Sequence, residues 1–308
     1  MKSDRNKTID ITIDQGGELL SRCLRPQRAL SESEALDSTI IGNSFEALPL
    51  LPDAIADLVV ADPPYNLRKN FGGSVFSEMS AGEYLSYTRR WLSLIRPKLK
   101  DTGSIYVCCD WRCSGEIERA LREFFIVRNR ITWQREKGRG ANKNWKNSME
   151  DIWFATVSDE YVFYLDAVKQ RRRCIAPYRS AGAPKDWEET ENGRFRDTCP
   201  SNFWDDITVP YWSMAENTPH PTQKPEKLLA KLILASCPPG GVVLDPFLGS
   251  GSTSVTAKKL GRHYIGVEQN EQYALWCEYR LKMADSDNTI QGFSDGVFWE
   301  RNSAPKRK

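Results

Sequence analysis

Residues 242–253 contain an apolar run, a bend with two glycines and the start of a helix, and this segment constrains the fold most strongly. The apolar run ends in Asp245, and Gly249 and Gly251 follow it. The next apolar run ends at Glu268. Glycines at such a bend let a ligand approach the backbone amides at the start of a helix. An acidic side chain after the next strand can accept hydrogen bonds from ribose hydroxyls. The segment therefore predicts a parallel βαβ unit that binds a nucleoside-containing ligand.

The spacing of the glycines separates two kinds of nucleoside ligand. A dinucleotide fingerprint needs a third glycine, and Ser254 stands at that position. The carboxylate of Asp245 would repel a pyrophosphate group but would form a favourable ion pair with a cationic amino group. These features favour S-adenosylmethionine over NAD, and they disfavour a nicotinamide-dependent oxidoreductase. A glycine turn that only joins a strand to a helix is the alternative interpretation.

Short apolar runs alternate with segments of helical periodicity on both sides of a less regular middle region. Residues 56–61 predict a buried strand, because the run is short, apolar and followed by proline. Further strands are expected at 104–109 and 127–133, and helices at 81–99, 117–125, 225–236, 252–260 and 273–283. The residues of the first helix expected to face inward are Tyr84, Leu85, Thr88, Trp91, Leu92 and Ile95. This alternation predicts the α/β class, with a doubly wound, mostly parallel sheet.

Changes in composition divide the chain into five segments. Residues 1–37 are polar and mixed in charge, and we expect an arm with weak structure, although Ile9–Ile13 alternates like a short strand. Residues 38–134 and 216–284 are expected to be the catalytic and the cofactor-binding half of one α/β domain. Between them, residues 135–215 lose periodicity and predict an insertion with its own surface. Residues 285–308 are expected to be a loose basic tail.

The sequence Asp62-Pro63-Pro64-Tyr65 stands directly after the first buried strand. Two consecutive prolines fix φ and lack amide donors, so we expect the Pro63 carbonyl to face outward between the Asp62 carboxylate and the Tyr65 ring. This trio offers two acceptors for an amino group and an aromatic face for a planar base. Acceptors on the hydrogens of an exocyclic amine raise the electron density on its nitrogen, as attack on a methyl group requires. An ordinary proline turn with a surface aspartate is the alternative.

Together with the glycine segment, this corner resembles the motifs of the amino-directed DNA methyltransferases. Asp62–Tyr65 comes first, the segment His220–Pro225 follows, and Asp245–Gly251 comes last, which is similar to the order of the β class. The resemblance spans about residues 40 to 283, and Leu248 stands where the family usually has alanine. In this family an Asp at the first motif position usually accompanies N6-adenine methylation, and a Ser N4-cytosine methylation. The resemblance thus implies a site-specific DNA adenine-N6 methyltransferase, with cytosine-N4 methylation as the alternative.

The family's fold and site residues lead to further expectations. They imply a Rossmann-like sheet of seven mostly parallel strands with an inserted target-recognition region. Asp62 and the Pro63 carbonyl would bind the adenine amino group, and Tyr65 would stack on the base once it is flipped out of the duplex. Lys224 would meet the methionine carboxylate of the cofactor. The expected catalytic set is Asp62, Pro63, Pro64 and Tyr65. The residues expected around S-adenosylmethionine are Asn43, Ser44, Asp62, His220, Thr222, Lys224, Asp245, Phe247, Gly249, Ser250, Gly251, Thr253 and Glu268.

Basic residues after the proline corner and in the middle region are expected to hold double-stranded DNA. Lysines and arginines alternate with glycine and asparagine around Trp145, a pattern that suits a flexible loop in a DNA groove. Such residues would contact phosphates, and the same insertion would read bases. A solvated charged loop is the alternative. The candidate DNA-binding residues are Arg68, Lys69, Arg135, Lys137, Arg139, Lys143 and Lys146.

The composition narrows the remaining possibilities. Lys and Arg total 43 against 41 Asp and Glu, so the net charge of +2 carries no information about partners. No apolar run approaches the roughly 18 residues of a membrane span, and the N-terminus lacks an apolar signal region, so we expect a cytoplasmic protein without membrane contact. Eight cysteines without a Cys-x-x-Cys pair, and only two histidines, argue against a metal site. The sequence does not decide whether a cognate restriction endonuclease accompanies the protein, or whether the protein is a monomer or a homodimer.

Overall fold

Helices and strands alternate along most of the chain. The structure, a computed structural model, describes residues 4–71, 74–135, 142–174, 179–191, 193–301 and 303. The α-helices are α1 (Ile13–Leu20), α2 (Glu32–Ala35), α3 (Ser44–Ala47), α4 (Ala81–Ile95), α5 (Ser114–Phe124), α6 (Glu226–Ser236), α7 (Ser252–Lys259) and α8 (Glu271–Met283). The strands are β1 (Ser38–Ile41), β2 (Ala56–Ala61), β3 (Lys69–Phe71), β4 (Ser74–Phe76), β5 (Leu99–Cys109), β6 (Ile126–Gln134), β7 (Met149–Thr156), β8 (Gln170–Arg173), β9 (Arg179–Ser180), β10 (Ala183–Pro184), β11 (Glu188–Thr190), β12 (Gly193–Thr198), β13 (Phe203–Trp204), β14 (Val242–Asp245), β15 (His263–Glu268), β16 (Phe293–Ser294) and β17 (Val297–Trp299). Within the described ranges no helix is long and apolar enough to cross a bilayer.

The central sheet has eight strands in the order β1-β15-β14-β2-β5-β7-β6-β13. Neighbouring strands run parallel from β1 to β5 and again at the β6–β13 pair, whereas β7 is antiparallel to both of its neighbours. This confirms the predicted α/β class with a doubly wound, mostly parallel sheet. The expected seven strands are extended by β13, whose two residues pair with Thr132 and Trp133 of β6. The burial of Trp204 anchors this short strand.

Apolar side chains on both faces of the central sheet are buried under helices. On β2, Val59 packs into the cluster that includes α4 and α5, whereas Leu58 and Val60 join the cluster under α6 and α7. A strand covered on both faces must be apolar at successive positions, which explains the apolar run from Leu58 to Ala61. On α4, all six residues predicted to face inward are buried. This helix begins where Ser80 and Glu83 form a capping box.

The segment predicted as an insertion is only partly separate from the central sheet. Its strand β7 lies between β5 and β6, so residues 149–156 belong to the α/β domain and the boundary predicted at residue 135 is wrong. Because β7 is almost entirely buried, its sequence shows no alternation that would have identified it as a sheet strand. Strands β8, β11 and β12 form a second, five-stranded sheet with β16 and β17.

Both terminal segments are more ordered than the sequence predicts. In the described chain, the alternating residues Ile9–Ile13 form no strand; instead α1 begins at Ile13 and buries Leu19 and Leu20 with residues of α8. The tail predicted to be loose contributes β16 and β17 to the second sheet, and Phe298 is fully buried there. These segments hold few apolar residues, and contacts with distant parts of the chain order them.

Two crossovers leave the middle of the central sheet in opposite directions. From β14 the chain passes through α7 to β15 on one side, and from β2 it passes through α4 to β5 on the other. Because β14 and β2 are neighbours, a crevice opens between their carboxyl ends. Asp62 directly follows β2 and Asp245 ends β14. Both sequence motifs therefore reach the same point of the sheet.

Candidate active site

A cleft of about 310 Å³ opens at the carboxyl ends of β2 and β14. A pocket of this size at the point where the strand order reverses is suited to a small-molecule ligand. Most predicted catalytic and cofactor residues line it: Asn43, Ser44, Asp62, Pro63, Pro64, Tyr65, His220, Thr222, Lys224, Asp245, Phe247, Gly249, Ser250, Thr253 and Glu268. Gly251 is instead the N-cap of α7. The proline corner and the glycine bend thus face one cleft.

The bend after β14 requires glycine at both predicted positions. Gly249 has a φ of 56° and Gly251 a φ of 85°, values in the left-handed region that other residues rarely adopt. A Cβ at Gly249 would lie 2.9 Å from Nε2 of His220, and a Cβ at Gly251 would overlap Sγ of Cys277. Backbone conformation and close packing both explain the two glycines.

Two buried carboxylates flank the bend. Oδ1 of Asp245 accepts a hydrogen bond from the Phe247 amide at 2.9 Å. Glu268 accepts from the amides of Gly249 and Asn270, each at 2.8 Å. Burial raises the pKa of Asp245 to about 7 and that of Glu268 to about 7, although these hydrogen bonds oppose the shift. A cation would favour the ionised carboxylates, so this wall is suited to a positively charged ligand with hydroxyl groups.

The same wall contains a polar atom that can receive a ligand. The Oγ atom of Ser250 is buried, and no group in the described part of the chain forms a hydrogen bond with it. The Ser250 carbonyl accepts a hydrogen bond at 2.8 Å from the buried guanidinium of Arg280, which fixes the bend from behind. Because buried polar atoms nearly always have a partner, the Ser250 hydroxyl fits a polar group bound in the cleft.

At the opposite wall, two side chains hold the carboxylate of Asp62. The Lys224 ammonium donates to Oδ2 at 2.6 Å, and the Tyr65 hydroxyl donates to Oδ1 at 2.9 Å. The Asp62 side chain is still 20% exposed, so a ligand can reach it. The Tyr84 hydroxyl donates to the Pro64 carbonyl at 3.0 Å and fixes the proline corner against α4. Asp62 is therefore oriented before any ligand arrives.

Lys224 lies at this corner and lines the cleft. Its ammonium donates to Asp62 and, at 3.1 Å, to the Tyr65 hydroxyl oxygen, and it lies 3.5 Å from Oε2 of Glu150. Burial opposes the charge of Lys224, but the carboxylates of Asp62 and Glu150 outweigh burial and raise its pKa. The ammonium is thus engaged by two protein carboxylates, and its contact with the methionine carboxylate of the cofactor stays a prediction.

Glu150 belongs to the same corner, although sequence reasoning missed it. It is the second residue of β7; its Oε2 lies 3.2 Å from the Tyr65 hydroxyl oxygen, as an alternative acceptor to Asp62, and its Oε1 pairs with Arg135. Burial, with the nearby charges of Asp62 and Glu150, raises the pKa of Tyr65, so the phenol stays protonated. The available signal was an acidic pair, Glu150 and Asp151, at the start of an otherwise apolar run.

The other predicted cofactor residues form the rim of the cleft. Nδ1 of His220 accepts a hydrogen bond from the Thr222 amide at 3.3 Å. The Asn43 side chain caps α3, and the Ser44 hydroxyl donates to the Pro246 carbonyl. The Ser44 contact joins two separate segments beside the glycine bend, whereas the contacts of His220 and Asn43 order their own loops.

One predicted DNA-binding residue has a different environment from the one expected. The Arg135 guanidinium is only partly exposed and pairs with the buried carboxylate of Glu150, so it is not available as a surface cation. The structure describes the backbone but not the side chain of Lys69. Lys137 and Arg139 lie outside the described residues. The predicted basic surface therefore has to be judged from the other residues.

The remaining candidates for DNA contact are exposed. Arg68 follows the proline corner, and Lys143 and Lys146 lie in the loop between β6 and β7. Trp145, between these two lysines, is 93% exposed. Because Glu150 lies near the start of β7 and contacts Tyr65, this loop enters the sheet directly beside the proline corner.

Comparison with known proteins gives clear relatives. A sequence profile of the DNA methylase family (N6_N4_Mtase) matches residues 56–277. Type II methyltransferase M.HpaI from Haemophilus parainfluenzae is 32% identical over 257 residues, which cover 82% of this chain and 75% of that protein. DNA adenine methyltransferase YhdJ from Escherichia coli (strain K12) is 32% identical over 266 residues, covering 84% of this chain and 86% of that protein.

Solved structures share the fold at lower sequence identity. PvuII DNA methyltransferase (cytosine-N4-specific) matches with a TM-score of 0.62 and 18% identity, over 87% of this chain and 91% of that one. The M1.HpyAVI–SAM complex matches with a TM-score of 0.54 and 22% identity, over 79% of this chain and 98% of that one. These likenesses show the α/β fold of the methyltransferases. Because the profile covers most of the chain and both relatives exceed 30% identity over most of its length, the chain belongs to the DNA methylase family.

Proposed function

We propose that this DNA methylase is a site-specific enzyme that transfers the methyl group of S-adenosylmethionine to N6 of an adenine in double-stranded DNA. The observation that carries the proposal is the single cleft lined by the Asp62–Tyr65 corner and by Gly249 of the glycine bend. Methyl transfer requires donor and acceptor sites that share one cavity, and this cleft provides both walls.

S-adenosylmethionine fits the wall formed by the glycine bend, and when bound it supplies an activated methyl group. Asp245 offers a carboxylate to the ammonium group, and Glu268 offers one to the ribose hydroxyls. The buried Ser250 hydroxyl has an open hydrogen-bonding position, and Gly249 leaves the space that a side chain would fill. The raised pKa of each carboxylate, about 7, reflects a burial cost that a cationic ligand offsets.

The proline corner receives the target base. Asp62 and the Pro63 carbonyl accept hydrogen bonds from the exocyclic amine, which makes the nitrogen lone pair more available, and Tyr65 stacks on the ring. Lys224 holds the accepting oxygens of Asp62 in place through a contact of 2.6 Å. A paired and stacked adenine cannot reach this corner, so the base has to be flipped out of the duplex.

Two observations support adenine as the target. Asp62 occupies the position at which the resembling adenine enzymes have aspartate and the cytosine-N4 enzymes usually have serine. The relative YhdJ, which is 32% identical, is named a DNA adenine methyltransferase. The likeness to the cytosine-N4-specific PvuII enzyme, at 18% identity, concerns the fold.

Duplex DNA is held beside the cleft by the exposed cations. Lys143 and Lys146 flank the exposed Trp145 in the loop that enters β7, and Arg68 lies after the proline corner. Lysines and arginines that contact phosphates supply most of the non-specific affinity of DNA-binding proteins. The position of this loop brings the duplex to the rim at which the flipped base enters.

The test is methylation of duplex DNA followed by mass spectrometry of its nucleosides. The purified protein is incubated with S-adenosylmethionine and duplex DNA that contains many sequence contexts, with an Asp62→Ala variant as the control. We expect N6-methyladenine, confined to one sequence context, with the wild type alone. Detection of N4-methylcytosine without N6-methyladenine would overturn the choice of adenine, and the absence of any methylated base would overturn the proposed function.

A further inference from the structure

Four charged side chains of alternating sign extend from the proline corner to the start of the loop between β6 and β7. They follow in the order Asp62, Lys224, Glu150 and Arg135. The Lys224 ammonium lies 2.6 Å from Asp62 and 3.5 Å from Glu150, and Arg135 pairs with the other oxygen of Glu150. The Glu150 side chain is 3% exposed and that of Lys224 is 7% exposed. Buried charges such as these persist only when each has a partner, so the position of each depends on the next.

We propose that Glu150 is a positioning residue for methyl transfer, which acts by holding the Lys224 ammonium in the orientation in which it donates to Asp62. The inference rests on the proposed function, in which Asp62 accepts the target amine. Glu150 itself touches neither the amine nor the methyl donor.

The geometry around Lys224 supports this role. Asp62 and Tyr65 face the ammonium from the segment after β2, Cys108 faces it from β5, and Glu150 faces it from β7. Without the charge of Glu150, Asp62 would be the one carboxylate among the described residues left within ion-pair distance of this buried cation. The ammonium would then be free to turn away from the Tyr65 side, and Asp62 would lose its fixed orientation.

Tyr65 adds a second link between the two carboxylates. Its hydroxyl lies 2.9 Å from Oδ1 of Asp62 and 3.2 Å from Oε2 of Glu150, and it has one hydrogen to donate. Glu150 therefore offers Tyr65 an alternative acceptor. When the target amine donates to Asp62, Tyr65 can keep a hydrogen bond by turning to Glu150.

The next residue of β7 provides a matched control. Asp151 is as buried as Glu150, but its carboxylate accepts from Ser114 at 2.8 Å and from Thr132 at 3.2 Å. Successive residues of a strand face opposite sides of the sheet, so Asp151 contacts the start of α5 and not the cleft. Removing the charge of Asp151 shows how much the loss of a buried carboxylate on this strand lowers the rate of methyl transfer when that carboxylate does not face the cleft.

The experiment is a double-mutant cycle in the full-length protein with duplex DNA and S-adenosylmethionine. The variants are Glu150→Gln, Lys224→Met, the combination of both, and Asp151→Asn, and the measured quantities are the single-turnover rate of methyl transfer, the Kd for DNA and the Tm. We expect Glu150→Gln to slow transfer by about tenfold while the Kd for DNA changes by less than about threefold. We expect the combined variant to be no slower than Lys224→Met alone, because residues that act as a unit are not additive.

A conservative variant separates positioning from packing. Glu150→Asp retains the charge, and we expect it to transfer methyl groups faster than Glu150→Gln even where its Tm is the lower of the two. Losses that multiply in the combined variant would overturn the inference, and so would an equal loss of rate in Asp151→Asn. A wild type that methylates no DNA overturns the proposed function and the inference together, whereas an active wild type with multiplying losses overturns only the inference.

Discussion

Lys224 and Asp62 are 162 residues apart in the chain, yet the Lys224 ammonium donates to Oδ2 of Asp62 at 2.6 Å. The contact joins the segment before α6 to the end of β2, so the segment His220–Pro225 meets the proline corner at the same cleft. A buried ammonium keeps its charge only beside carboxylates, and Asp62 and Glu150 raise the pKa of Lys224 for that reason, against the effect of burial. The contact with Lys224 keeps the Asp62 carboxylate oriented.

Replacing Asp62 with alanine removes the acceptor that we propose for the target amine. We expect Asp62→Ala to lower the rate of methyl transfer by at least about a hundredfold, the scale seen when a group that stabilises a transition state is lost. DNA binding should change little, because the exposed lysines proposed to contact phosphates are untouched. Transfer of labelled methyl groups measures the first effect and a mobility-shift assay the second. Unchanged transfer would refute the role assigned to Asp62.

The affinity for S-adenosylmethionine is expected to depend on pH. The pKa of Asp245 and that of Glu268 are each raised to about 7, so both carboxylates take up protons as the pH falls through that value. A neutral carboxyl attracts a cation less, and each pH unit below 7 should weaken binding by up to about tenfold for each coupled group. Calorimetry between pH 6 and 8.5 measures this change. An Asp245→Asn variant should bind weakly with a flatter pH dependence; a wild-type affinity that is constant over this range would contradict the prediction.

The carboxylate of Asp245 is expected to lower the free energy of unfolding at alkaline pH. The pKa of Asp245 rises from 3.8 to about 7 on folding, so between these values the folded state holds the extra proton. The free energy of unfolding therefore falls as the pH rises towards 7, and the full cost is present above it. Asp245→Asn should raise the Tm at pH 8 by about 2 °C or more, and by less at pH 5.5. Scanning calorimetry at both pH values checks the sign, and a lower Tm at pH 8 would contradict it.

Glycine at position 251 is required by both conformation and packing. Gly251 and Gly261 both have a positive φ, but a Cβ at Gly251 would overlap Cys277, whereas one at Gly261 would meet nothing within 4 Å. Gly251→Ala should therefore reduce the free energy of unfolding by about 1–3 kcal/mol more than Gly261→Ala does, because only the former overpacks its site. Urea denaturation of the two variants measures the difference. Equal losses of unfolding free energy in the two variants would mean that the positive φ, and not the contact with Cys277, explains the need for glycine at position 251.

The exposed lysines of the loop before β7 are expected to contact phosphates. Lys143→Ala should weaken DNA binding and make the slope of log K against log salt shallower by about one unit. Lys282→Ala is a suitable control, because Lys282 is exposed near the end of α8, at the opposite end of the sheet from the cleft. Fluorescence anisotropy across a salt series gives both slopes. An unchanged slope for Lys143→Ala would identify the loop as a solvated surface only.

Sequence reasoning worked best where local physics decides the outcome. The inward face of α4 was predicted residue by residue, because a helix that covers a sheet must repeat its apolar residues at helical spacing. The placement of Asp62 and Asp245 in one cleft was also predictable, because neighbouring parallel strands present their carboxyl ends at one edge.

The same reasoning failed where a residue's partner is far away in the chain. Strand β7 shows no alternation of polar and apolar residues, because both of its faces are covered. The sequence therefore predicted these residues as part of the insertion. Arg135 was predicted to contact DNA and Glu150 had no predicted role, but the two side chains pair with each other inside the fold. The N-terminal helix and the last two strands likewise depend on surfaces provided by α8 and by β8.

The order of the residues by itself determined the α/β class, the glycine bend and the proline corner, because each depends on apolar spacing or on the backbone limits of glycine and proline. Only the tertiary structure decided which charges meet. Lys224 became a partner of Asp62, and Glu150 joined them, because a buried ion finds its counter-ion through space and not along the chain.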